Sequence, residues 1–129
     1  MRATILRGGA LALALFVGFG AAPAPDDETA GDLRCMVVSL QLMSAQDAQT
    51  RASGFSAMMY YLGRLDGHAP GTDLEQSLAD TVDAMTAEQA KAEAQRCGQT
   101  LIDRGKVLTD VGQGLIKRGE KREKDRNTL

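Results

Sequence analysis

The chain has 129 residues, 43% hydrophobic but only 4% aromatic, with 17 acidic and 15 basic side chains and a formal net charge of −2. That length sets one small domain. The acidic lean excludes the basic footprint of a nucleic-acid binder.

The first stretch has the layout of a secretory signal. Arg2 and Arg7 precede an apolar, small-residue run, Gly8–Ala22, and polarity returns in "APAPDDE". A run this short falls below the ~20 residues of a spanning helix. Ala22-Pro23-Ala24 gives one small-x-small cleavage site, although Pro25 would follow the cut. Cutting before Ala21 is the alternative, so 105 to 109 residues remain. The expected organisation is a signal peptide over 1–24, a flexible leader over 25–31, a helical domain over 32–117 and a charged tail over 118–129. Export to the periplasm follows, with membrane contact only through the signal segment or weakly through the tail.

Cys35 and Cys97 are the only cysteines. An even cysteine count in a small exported domain reads as a disulfide. Closing the 62 residues between them is worth about 4 kcal/mol of loop entropy, less any strain. Two buried free thiols are the alternative, and the absence of a C-x-x-C argues against redox catalysis.

The remainder reads as helix, since β-branched and aromatic residues are sparse and no segment alternates with period two. A first helix is predicted over 32–45, capped by Asp32, with Leu33, Met36, Val37, Leu40 and Met43 on its apolar side. A second covers 47–65, with Phe55, Met58, Met59, Leu62 and Leu65 at helical spacing and Gly67 as its stop. A third covers 73–85 behind a Thr72–Glu75 capping box, and a fourth runs from Thr86–Gln89, a second capping box, to about Lys117. The fold class is all-α: a small four-helix, disulfide-linked domain with a long C-terminal helix.

The last helix holds an unusual repeat. Gly98, Gly105, Gly112 and Gly119 recur every seven residues, and so do Leu101, Leu108 and Leu115. An interior helix glycine costs about 1 kcal/mol against alanine. Its use in a heptad seam is close backbone approach. Three readings stand: the seam packs against helix one or two of the same chain, it packs against a second copy in a homodimer, or the glycines let the end fray. Asp103, Arg104, Lys106 and Asp110 rule out a membrane seam. Lys117–Arg126 carries six basic and three acidic residues, against seven and 14 over residues 23–116. The tail is therefore +3 on a body of −7, and reads as a solvated helix end or a disordered tail.

No catalytic set emerges. His68, the only histidine, sits in a turn and reads as solvent-exposed. No His/Cys cluster has metal-ligand spacing, no phosphate loop follows a strand, and no cofactor is implied. The chain reads as a non-enzymatic protein binder. Its methionines suit an irregular core or an adaptable binding face.

"MMYYLGRLDG", Met58–Gly67, places an aromatic-x-x-Gly-x-x-x-Gly segment between two cysteines of an exported helical chain. This resembles the HdeA/HdeB-type periplasmic acid-stress chaperones over about 33–97. The resemblance maps Cys35 and Cys97 onto that family's single disulfide. It implies a dimer near neutral pH that loosens in acid and holds unfolded clients. The glycine heptad lies outside the family pattern. Protonating all carboxylates would carry the exported chain from about −4 toward +14, and self-repulsion would loosen a weak interface. The expected function is an acid-stress holdase, with Phe55, Met58, Met59 and Leu62 as the apolar surface. The alternative is a specific envelope interaction protein (an inhibitor, immunity-type protein or complex subunit). It would bind one partner through Gly98, Leu101, Gly105, Leu108, Gly112 and Leu115.

Overall fold

A computed structural model describes residues 26–128, so the signal segment lies outside the described residues. Four helices follow in order: α1 (Asp27–Met43), α2 (Ala48–His68), α3 (Leu74–Ala84) and α4 (Ala87–Arg126). Among the described residues there is no strand, and no helix is long and apolar enough to cross a membrane.

α1 begins at Asp27, five residues before the expected start, and its cap is Asp26 rather than Asp32. The Asp26 carboxylate accepts from the Thr29 amide at 2.7 Å. Asp27 and Glu28 then fall in the first turn, where negative charge complements the exposed amides. Residues 27–31, expected as flexible leader because they are acidic and Gly-containing, are therefore helical, with Thr29 and Gly31 buried.

The core is built on α1, whose Leu33, Cys35 and Met36 meet Tyr61 and Leu65 of α2 and Cys97 of α4. Val37 and Val38 are buried beside them. α2 lies antiparallel to α1 after a turn capped by Asp47, which accepts from the Thr50 amide at 2.7 Å. At Gly54 the end of α1 comes close to α2: a Cβ there would stand 2.7 Å from the Met43 amide nitrogen and 2.8 Å from Leu42 Cβ. Only glycine permits that approach.

Gly67 does not end α2. The helix continues to His68, whose ring bonds to α1, and Ala69 closes it. Gly71, at φ +83°, turns the chain toward α3. The α3 cap is Asp73, accepting from Gln76; Thr72 instead donates its hydroxyl to the Ala69 carbonyl, so the expected capping box does not form. The Thr86–Gln89 capping box does form and opens α4.

The Cys35–Cys97 disulfide joins α1 to α4, with Cα atoms 5.6 Å apart. Tyr61, fully buried, donates its hydroxyl to the Cys97 carbonyl at 2.9 Å, so all three long helices meet at the bridge. Burial pushes the Tyr61 phenol pKa up. A disulfide-bonded chain without such a spanning helix among the described residues is compatible with an extracytoplasmic protein.

Candidate functional site

Two charge clusters lock α1 to its neighbours. Asp32, whose side chain is 3% exposed, accepts two bonds from Arg64 Nε at 3.0 and 3.1 Å. The same carboxylate lies 3.0 Å from His68 Nε2, and Arg64 also reaches Glu28 at 2.9 Å. Hydrogen bonding to Asp32 raises the Arg64 pKa and keeps the guanidinium charged. His68 is thus a structural partner of α1 rather than a free turn residue, because Arg64 and His68, four apart, share the helix face that meets Asp32.

The second cluster lies beside the disulfide. Glu93 accepts from Arg34 Nε at 2.7 Å and from Arg96 Nε at 2.6 Å. Arg96 also donates to the Gly31 carbonyl at 2.9 Å and lies 3.1 Å from Cys35 Sγ. Burial pushes the Glu93 pKa up, but the Arg96 and Arg34 bonds outweigh it and the net shift is downward. Cys35, Glu93 and Cys97 stand close enough to hold a cation, but both sulfurs are committed to their mutual bond. Both clusters are fully paired, as structural ion pairs are.

The apolar surface expected on α2 divides. Met58 and Leu62 pack against the core, while Phe55 and Met59 are exposed. Over these two turns of α2, Met58 and Leu62, four apart, take the core side and Phe55 and Met59, also four apart, take the solvent side.

The glycine seam is placed differently from the packing expected within the chain. α4 has 40 residues, about 60 Å of helix at 1.5 Å per residue. α1 and α2 have only 17 and 21, so neither is long enough to accompany it. Leu101 is the last seam residue to touch the core. Beyond it, Ile102 to Arg126 project from the body as continuous helix. Leu108 is 72% exposed and Leu115 60%, with Ile102, Val107, Val111 and Ile116 all more than half exposed. A Cβ added at Gly98, Gly105, Gly112 or Gly119 would meet nothing within 4 Å.

The charged tail is the last part of the same helix, with Lys124 and Arg126 in its final turn, where positive charge complements the exposed carbonyls. The free half of α4 therefore presents an apolar seam with small gaps, ending in a basic tip. Exposed aliphatic surface of this extent is uncommon on a monomeric protein. No family model, curated protein or solved structure matches this chain.

Proposed function

We propose that this is an exported, non-enzymatic protein-binding protein of the periplasm, and that the free half of α4 is its working surface. The observation that carries the reading is the run of exposed aliphatic side chains, Ile102, Leu108, Val111, Leu115 and Ile116, on a helix that has no core contact beyond Leu101 among the described residues. Solvent-exposed aliphatic residues in helical register are the anchors of helix-in-groove and helix–helix recognition. The body, closed by the disulfide and two ion-pair clusters, serves as the mount.

The test is in-cell photocrosslinking. A photoreactive residue at Leu115 should give adducts that a Leu108→Asp change removes, while the same probe at Lys117 should give few. Equal crosslinking from both positions, or none at Leu115, would sink the reading.

A second reading, an acid-stress holdase, is favoured by carboxylates that hold the fold: Glu93, which ties α4 to α1 through Arg34, and Asp26 and Asp47, which cap α1 and α2, all have lowered pKa values. The stability they contribute is complete above their ordinary range and lost as pH falls through the lowered values. Acid would weaken the starts of α1 and α2 and loosen α4 from α1 while the disulfide keeps the chain tethered, uncovering Met58 and Leu62 beside the already exposed Phe55 and Met59. Suppression of client aggregation at about pH 3, below the ordinary carboxylate range, checks it; no suppression at stoichiometric amounts removes it.

A further inference from the structure

We infer that the free half of α4 pairs with the same segment of a second copy of this chain, antiparallel, each leucine of one seam seated on a glycine of the other. The inference rests on the reading of α4 as a docking surface and names its occupant.

The pattern itself is self-complementary. In a heptad seam, glycine holds one core position and leucine the other. In a parallel pair, like positions face each other. Gly–Gly layers would then alternate with Leu–Leu layers, and no single interhelical distance fits both. In an antiparallel pair each central layer can hold one glycine and one leucine, so the spacing there is uniform and each leucine sits over the backbone its partner glycine leaves bare. The space is open, since a Cβ at Gly112 or Gly119 would meet nothing within 4 Å.

Charge selects the same orientation. Lys117–Arg126 carries +3, and parallel pairing would set two such tips side by side. Antiparallel pairing moves them to opposite ends, farther apart than the ~8 Å over which salt lets charges feel one another. One register seats Leu115 on Gly112, and Leu108 on Gly119, of the second copy. Its midpoint falls between Gln113 and Gly114, the middle of the projecting segment. On the flank it sets Arg104 beside Asp125 of the second copy, twice by symmetry.

The size is sufficient for a reversible dimer. Ten half-exposed or more exposed aliphatic side chains, five per copy, release on the order of 500 Å² of apolar surface. Glycine backbone and the stems of the flanking arginines and lysines raise the total toward the ~1,000 Å² of a weak specific interface.

The oxidised protein without its signal segment is sedimented from about 1 to 100 µM, the range in which an interface this small half-associates. A concentration-dependent dimer is expected. Leu108→Asp with Leu115→Asp should leave only monomer; both side chains are exposed, and unchanged circular dichroism and melting of the body would show that the fold is kept. Orientation is read from a spin label on Lys124→Cys, the one unpaired thiol in a chain whose described cysteines are both bridged. Antiparallel pairing in this register puts the two labels about 30 Å apart along the axis, whereas parallel pairing puts them within ~20 Å. A short label distance overturns the antiparallel arrangement. A monomer at every concentration overturns the inference. Leu115 crosslinks that depend on Leu108 would still leave the docking reading standing, with an adduct mass other than twice the chain.

Discussion

Gly54→Ala tests the packing most directly, because the structure fixes both sides of the balance. The new methyl would stand 2.7 Å from the Met43 backbone nitrogen and 3.0 Å from the Leu42 carbonyl carbon. Those are backbone atoms, which cannot swing aside as a side-chain tip can. Forcing a methyl into such a contact costs about 1–3 kcal/mol, here toward the upper end. Alanine returns about 1 kcal/mol of helix propensity. The net loss is then about 1–2 kcal/mol, or ~5–15 °C of melting temperature for a domain of this size. Gly63, on the same helix, supplies the control: a Cβ there meets nothing within 4 Å, so Gly63→Ala should stabilise by up to ~1 kcal/mol. Thermal melts of the two oxidised variants should move in opposite directions. If Gly54→Ala melts at or above the parent temperature, the close approach of α1 and α2 is wrong.

Other perturbations address the charge clusters and the bridge. Asp32→Ala strands Arg64 and His68 and should cost roughly 2–3 kcal/mol in urea unfolding, less than a fully buried pair because both partners keep some water; a loss no larger than that of Glu28→Ala would contradict it. Replacing Cys35 and Cys97 by alanine should remove about 4 kcal/mol of loop-closure stabilisation, read as a matching fall in the urea midpoint; a shift under ~1 kcal/mol would be the contrary result. Glu93 should make stability pH-dependent. Its contribution is complete above the ordinary carboxylate value of 4.5 and fades as pH falls through its lowered native value. Glu93→Gln should flatten that part of the stability–pH curve, and an unchanged acid limb would exonerate the Arg34–Glu93–Arg96 cluster.

What the sequence made legible was local. The Thr86–Gln89 box, the number and order of the four helices and the cysteine pairing rest on short-range chemistry or on counting, and each stands in the structure, though α1, α2 and α4 run further than expected. The errors came where composition was read without its setting. Acidic residues before Gly31 looked like a leader, yet they are the charges a helix start favours. Asp32 looked like a cap because it precedes an apolar run; its role depends on Arg64 and His68, more than 30 residues away. Their i, i+4 spacing was the available signal. The glycines divide. Those of the α4 repeat meet no other part of the described residues, whereas Gly54, which spaces α1 from α2, belongs to no repeat.

α3 carries a consequence of its own. None of its residues is buried, and it leans on α1 across a groove of ≈ 340 Å³ lined in part by Leu33, Ser77, Thr81 and Met85. It also lies wholly inside the covalent ring closed by Cys35 and Cys97. Its Leu74 and Leu78 pack against the core; were they to let go, the Gly71 turn and the extended Met85 are where the chain would bend, and the ring would keep α4 and the bond from Tyr61 to the Cys97 carbonyl in place. Amide exchange should therefore run on two clocks. The amides of Leu78 and Thr81 should follow α3, and those of Met36 and Tyr61 should wait for the whole molecule. In that case the disulfide would do more than stabilise the fold: it would let one wall of the domain move while the frame holds.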